Sequence, residues 1–265
     1  MNLNDAHAHY ADPELLRSWD QVSGALKQIG LGYAVVNGTS PEDWPAVLKL
    51  AQNDTRIIPA IGLHPWNVND APANWQDTFL AALSRGAQVI GEIGLDTWIE
   101  GYDIQQQQEA FQWQLRQASE RNLPVSIHCL KAIGPLMECL RCIELPQRGI
   151  HLHAYNAPLE LIAELVELGA YFSFNAGQLK PGQSKTSARI RAIPIERLLV
   201  ETDAPNMLPP VELRAFELPQ SDNGDALTHP ATLKCGYTAI AKLRGVSFEQ
   251  LAKQVAANFQ AYFLT

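Results

Sequence analysis

A short aliphatic or β-branched run, a polar elbow and a helical stretch recur along almost the whole chain, and this alternation constrains the fold more than any other feature. The runs are L-N-D-A-H-A-H from Leu3, Y-A-V-V-N from Tyr33, R-I-I-P-A-I-G-L-H from Arg56 and A-Q-V-I-G-E-I from Ala87. P-V-S-I-H from Pro124, G-I-H-L-H from Gly149, A-Y-F-S-F-N from Ala170 and R-L-L-V-E-T-D from Arg197 bring the number to eight. Amphipathic stretches such as Ile104–Arg121 and Pro158–Leu168 lie between them, with apolar residues at helical spacing. Strands alternating with helices build right-handed βαβ units on a parallel sheet. Eight units predict a single (β/α)8 TIM-type barrel rather than a doubly wound sheet. A barrel of ~250 residues would use nearly all of the 265 present.

After the eighth run, Met207–Pro230 is rich in Pro, Asp and Asn and reads as a long loop. Two helices, Pro230–Lys242 and Ser247–Phe263, then end the chain. No linker divides it, so one domain is expected over residues 1–265.

Charge narrows the function. The net charge is −8 and no basic stripe is visible, which argues against long phosphate-tracking surfaces. A nuclease is still compatible, because bound metal supplies local positive charge, but its contact with nucleic acid should be short and confined to the site. No apolar run approaches the ~20 residues that span a bilayer. The first strand-like run starts almost at Met1, so no secretory leader is expected ahead of it. Cys129, Cys139, Cys142 and Cys235 suggest no disulfide framework, and a reduced, cytoplasmic protein is expected.

The seven histidines fall on this map in a telling way. His7, His9, His64, His128, His151 and His153 lie on strand runs, mostly at their C-terminal ends, while His229 lies in the late loop. In barrels of this kind chemistry occupies the C-terminal face. Glu92, inside G-E-I-G-L-D, and Asp203, inside E-T-D-A-P, end two further strands. His7 and His9 are two apart on a strand, so both point to one face. Alone, that spacing is a weak signal, since core and surface histidines share it. Joined by His128, His153, Glu92 and Asp203 at matching heights, it points to a metal site.

The motifs D-A-H-A-H at Asp5, I-G-L-H-P at Ile61, G-E-I-G-L-D at Gly91, P-V-S-I-H at Pro124, H-L-H-A-Y at His151 and L-L-V-E-T-D-A-P at Leu198 occur in order over nearly the whole chain. In this the chain resembles the TatD family of metal-dependent DNases, within the amidohydrolase-like barrels. The resemblance implies a two-metal hydrolase of phosphodiester bonds that often trims DNA ends. It implies that His7, His9 and Asp203 hold one divalent ion, that His128 and His153 hold the second, and that Glu92 bridges both. A water between two such cations loses a proton at neutral pH, and Asp203 is placed to accept it. Imidazoles favour zinc, whereas carboxylates and phosphate chemistry allow magnesium or manganese. No Ser-His or Cys-His nucleophile constellation competes with this scheme.

Other residues carry two readings each. His64 is a substrate contact in the pocket or a structural hydrogen-bonding group. Glu201 shares a face with Asp203 and either orients a ligand histidine or forms an ion pair inside the barrel. Asp96 supports a ligand or simply turns the chain. His151 has the inward parity of His153 but lies one layer deeper, as a buried histidine in need of a partner. Cys139 and Cys142 share a helix with Leu136, Leu140 and Ile143 and fit apolar packing better than a zinc site. The run Gln105–Gln108 reads as the solvated first turn of a helix, although the resemblance places Gln107 near the pocket.

Departures from the family pattern bear on substrate more than on metal. Leu130, followed by Lys131, stands where many relatives have a phosphate-binding arginine, and Gln106 replaces another. The late loop reads T-H-P around His229 where relatives often show an asparagine two before the proline. Lys185, in S-K-T, matches a family lysine and is expected to meet phosphate. Two functions follow: a phosphodiesterase of nuclease type trimming single-stranded nucleic acid, or a hydrolase of a small amide, lactone or phosphoester on the same barrel. A binding or scaffold protein is a third class, disfavoured by six converging ligands. No membrane contact and no obligate protein partner are expected.

Overall fold

The computed structural model describes residues 2–180, 182 and 184–264. Its strands are β1 (Leu3–Ala8), β2 (Leu31–Asn37), β3 (Ile57–Ile61), β4 (Val89–Asp96), β5 (Val125–Leu130), β6 (Ile150–Leu152), β7 (Ala170–Phe174) and β8 (Leu198–Val200). They form one eight-stranded sheet in sequence order, and every adjacent pair is parallel. The sheet curls until β8 meets β1 at the C-terminal end. There the Asp203 amide donates to the His7 carbonyl at 3.0 Å, and the His9 amide to the Ala204 carbonyl at 2.8 Å. The carboxylate of Asp5 reinforces this seam, accepting from the Thr202 amide at 2.9 Å and the Thr202 hydroxyl at 2.6 Å.

The helices are α1 (Pro13–Leu16), α2 (Trp19–Ile29), α3 (Trp44–Asn53), α4 (Trp75–Ser84) and α5 (Ile104–Arg121). Beyond them come α6 (Ile133–Cys142), α7 (Ile162–Glu167), α8 (Ser184–Ala192), α9 (Leu233–Arg244) and α10 (Phe248–Phe259). Local chemistry explains their limits. Ser247 and Gln250 form a reciprocal capping box at the start of α10. Gly245 ends α9 in the left-handed conformation, φ 68°, where a Cβ would be strained. Helices cover the outer face of the sheet and side chains fill its interior. All eight residues of β4 are therefore buried.

The two C-terminal helices seal the end of the barrel opposite the mouth. Tyr237 accepts from the Asn4 amide at 3.1 Å and donates to the Asn4 carbonyl at 2.9 Å. Tyr262, in the π-helical turn Gln260–Leu264 that follows α10, does the same for Val125 at 3.0 and 2.7 Å. Each phenol satisfies backbone groups at the foot of a strand, worth about 0.5–1.5 kcal/mol per bond.

Several boundaries differ from those read in the sequence. The ladders of β3, β6 and β8 end at Ile61, Leu152 and Val200, short of His64, His153 and Asp203, and β1 ends at Ala8, before His9. The chain leaves the barrel wall there to cross the mouth. Ladder-like bonds persist only briefly, with the His153 amide on the Ile127 carbonyl and the Glu201 amide on the Phe174 carbonyl, both at 3.1 Å. The stretch expected as one helix over Pro158–Leu168 opens with a 3-10 turn, Leu159–Leu161. A second such turn, Pro230–Thr232, precedes α9.

Candidate metal centre at the barrel mouth

Glu92 is the hub. Its β4 strand is drawn close to β3, where a Cβ added at Gly62 would lie 2.4 Å from the Glu92 carbonyl oxygen. Its two carboxylate oxygens divide the neighbouring histidines between them. Oε2 lies 3.4 Å from His7 Nε2 and 3.3 Å from His9 Nε2. Oε1 lies 2.9 Å from His128 Nδ1 and 2.8 Å from His153 Nε2. Asp203 Oδ1 lies 3.4 Å from His9 and 3.8 Å from His7, and Asp203 also clusters with His7 and His153, their ligand atoms all within 4.8 Å. The structure thus brings together all six residues expected as ligands.

Hydrogen bonds set which nitrogen of each ring carries a lone pair. His9 Nδ1 meets the Asn37 carbonyl at 3.0 Å, an acceptor only, so in the neutral ring it carries the hydrogen and Nε2 presents its lone pair to the centre. Asp96 takes His128 Nε2 at 3.0 Å, which turns Nδ1 toward Glu92 Oε1 at 2.9 Å and His153 Nε2 at 3.2 Å. Asp96 therefore supports a candidate ligand, one of its two sequence readings. His64 is the contrary case. Its Nδ1 accepts from the Trp66 amide at 3.2 Å, so the neutral ring carries its hydrogen on Nε2 and donates to Glu92 Oε1 at 3.3 Å. His64, Glu92 and His128 cluster tightly enough to suggest a metal triad, but in that ring state His64 Nε2 has no lone pair to offer.

A buried relay orients His7. Ser173 donates to the Glu201 carboxylate, which also accepts from the Ala154 amide and from Asn175 Nδ2, both at 3.0 Å. With its hydrogen committed, Ser173 Oγ accepts from His151 Nε2 at 2.6 Å. His151 Nδ1 must then accept from Ser126 at 3.3 Å, and Ser126 accepts from His7 Nδ1 at 2.7 Å. The direction of this chain leaves His7 Nε2 with a lone pair. That atom is buried and has no hydrogen-bond partner, as a metal ligand awaiting its ion would be. His151 is thus a buried, hydrogen-bonded histidine, and Glu201 also faces His153 Nδ1 at 3.8 Å.

Charge points the same way. Burial tends to raise the Glu92 carboxyl, but His64, His153 and His7 hold it well below the usual range. Asp203 is likewise lowered against burial by the bond from His9 and by His7. Burial tends to lower His9, His128 and His153, yet all three are raised. Asp203 and Glu92 raise His9, Asp96 and Glu92 raise His128, and Glu92 with Glu201 raises His153. His7 is lowered by burial and His153, and burial takes His64 down to about 4. Buried carboxylates here demand positive charge, which protons or cations can supply. The donor set, the ring states and the charge all fit divalent metal.

The mouth forms a cavity of about 530 Å³ lined by His9, His64, Glu92, His128, His153 and Asp203, with Leu130 and two tryptophans among its walls. Lys185 is exposed at the start of α8 and does not line it. Gln106 is exposed and bonded to Asp103. Gln107 corrects the expectation of a solvated turn. It is buried, and its side-chain amide accepts from the Asp96 amide and donates to the Asp96 carbonyl, both at 2.9 Å. Its spacing from Phe111 and Gln114 on the inner face of α5 was the available signal. His229 caps the Ala231 amide at 2.9 Å, away from the cavity. Cys139 is buried and Cys142 exposed, so the pair shares no site. Ser126, Ser173, Asn175 and Trp66 carry no marker in the sequence.

Imidazoles and carboxylates buried together at the C-terminal mouth of a (β/α)8 barrel define a metal-dependent hydrolase. The chain belongs to the family of TatD related DNases, whose sequence profile matches residues 4–264. It is 31% identical over 206 residues to YjjV of Escherichia coli K12, described as an uncharacterized metal-dependent hydrolase, spanning 77% of this chain and 79% of that one. The crystal structure of the same Escherichia coli TatD homologue superimposes with a TM-score of 0.89 at 26% identity, covering 99% of this chain and 98% of the other. The 3′-5′ ssDNA/RNA exonuclease TatD of Citrobacter koseri is 28% identical over 264 residues, 98% of each chain. Among the described residues no helix is long and apolar enough to cross a membrane.

Proposed function

We propose that this hydrolase is a phosphodiesterase of nuclease type that trims single-stranded nucleic acid with two divalent ions. The observation that carries the reading is the division of Glu92, with Oε2 toward His7 and His9 and Oε1 toward His128 and His153. His7, His9 and Asp203 would hold one ion, His128 and His153 the other, and Glu92 both. Bound there, such ions lower the pKa of water and stabilise charge on the attacked and departing oxygens. Asp203 takes the proton from the attacking water. Its side chain is 11% exposed at the cavity floor, against 4% for Glu92. His64 donates to Glu92 and keeps that carboxylate ionised and oriented. The exonuclease from Citrobacter, similar along its whole length, supports the substrate class. Four free thiols support a reducing, cytoplasmic setting.

One observation favours the small-molecule alternative: none of the described residues lining the cavity is lysine or arginine. Metal analysis of the purified chain, with labelled single strands and small esters assayed side by side, separates the two. Two ions per chain and chelator-sensitive cleavage of strands are expected. Ester hydrolysis without any strand cleavage would transfer the assignment to the alternative.

A further inference from the structure

The mouth has an acidic interior, and none of the described residues lining it is a lysine or arginine that could hold a polyanion. Asp12, Asp43, Glu92 and Asp203 line it, and Leu130 stands among them as an apolar wall. Ions at the centre would hold only the phosphate beside them, so something further must keep the rest of a substrate strand in register. On the β3–β4 side two indoles form the rim, Trp66 at 51% exposure and Trp98 at 59%, while the other tryptophans are buried or half-buried. Exposed indole surface is unfavourable in water, so a pair of them at the lip of a site needs a reason.

The Trp66 ring and the Trp98 backbone are both tied to Asp96. Trp66 Nε1 donates to Asp96 Oδ2 at 2.7 Å, and the Trp98 amide donates to Asp96 Oδ1 at 2.7 Å. The same Oδ2 takes His128 at 3.0 Å, so one carboxylate ties both tryptophan residues to the centre. The Trp66 ring also stands edge-on to His64, 5.1 Å between centroids and 87° between planes. With its N–H pinned, the indole is oriented before any ligand arrives, and little side-chain entropy remains to be lost on stacking.

We infer that Trp66 and Trp98 form a stacking platform for unpaired nucleobases, replacing the grip that lining cations would supply. The inference rests on the nuclease reading above and names how that site takes its substrate. It predicts a preference for single strands, because bases inside a duplex offer no free face.

The test uses the metal-loaded full chain and two labelled single strands, identical except that one has abasic sites in place of its terminal bases. Base–aromatic stacking makes an intact end about tenfold better in kcat/KM for the wild type. Trp98→Ala and Trp66→Ala should each shrink that ratio toward one. Trp66→Phe, which keeps a ring but loses the bond to Asp96, should retain an intermediate ratio. Trp98 meets Asp96 only through its backbone amide, so Trp98→Ala is expected to fold, and metal content verifies the centre. Equal wild-type cleavage of both strands, or tryptophan variants that keep the full ratio, overturns the platform and leaves the nuclease reading standing. Cleavage of neither strand by the wild type overturns both.

Discussion

The backbone amide of Asp203 donates to the carbonyl of His7 at 3.0 Å, so the first and last strand segments are joined where the His7 ring faces both Glu92 and Asp203. The bond is made by main chain and survives side-chain replacement. Asp203→Asn should therefore keep the fold while removing the proton acceptor and weakening one ion's hold. Turnover is expected to fall about 10²- to 10⁴-fold with an unchanged circular dichroism spectrum. Near-normal turnover would remove Asp203 from the reaction.

Metal and protons compete at this centre. His9, His128 and His153 are raised, by Asp203, Glu92, Asp96 and Glu201, so the metal-free fold holds protons there that ions must displace. Their contribution to metal-free stability is full below the ordinary histidine value and lost as pH rises through the raised values. Metal affinity should move the opposite way, strengthening from about pH 6 to pH 8. Calorimetry in buffers of different ionisation enthalpy should register protons released on binding. Affinity that is flat with pH, with no proton release, would contradict this account.

The relay through His151 makes its own demand. Ser173→Ala or His151→Leu should free the direction of the chain that leaves His7 Nε2 as an acceptor. Metal affinity should weaken about 10- to 100-fold, as for other groups that orient a ligand. His151→Gln offers both a donor and an acceptor and should recover much of the loss. Were Leu and Gln variants to bind metal equally, the relay would have no orienting role.

His229 lies clear of the centre, and burial lowers it to about 4. A lowered histidine contributes stability that is full above its unfolded value of about 6.5 and lost as pH falls through about 4. His229→Asn can still cap the Ala231 amide but cannot titrate in that range. Denaturant unfolding at a series of pH values should show the wild type losing stability faster than the variant across that window. Parallel curves would show that His229 does not supply the slope.

Leu130 at the cavity wall can be converted into a phosphate contact. A charge-assisted hydrogen bond of roughly 1.5–3 kcal/mol predicts that Leu130→Arg raises cleavage efficiency on short single strands about 10- to 100-fold, with metal content unchanged. Lys185, outside the cavity, should matter only for strands long enough to leave it. Loss of a native small-molecule activity in Leu130→Arg, without gain on strands, would favour the alternative substrate class.

The eight-unit alternation and the six candidate ligands were legible in the sequence because both depend on local periods. Two residues per strand repeat put His7 and His9 on one face and strand order put Asp203 at the mouth, whereas Glu92, expected to end its strand, lies within β4, which runs on to Asp96. Hydrogen-bond partners depend on neighbours from other strands, which no local period encodes. His64 has its hydrogen on Nε2 because a turn brings the Trp66 amide to Nδ1. His151 finds Ser126 as its register partner on β5 and bonds to Ser173 on β7, and only the closed sheet assembles that chain. Gln107 is buried because α5 turns it onto the Asp96 backbone, while the start of α8 carries Lys185 away from the cavity its motif suggested. The sequence by itself determined that imidazoles and carboxylates converge at one end of the strands. The tertiary structure decided which nitrogen, which oxygen and which ring face each presents there, because those depend on ångström-scale neighbours supplied by the barrel's register.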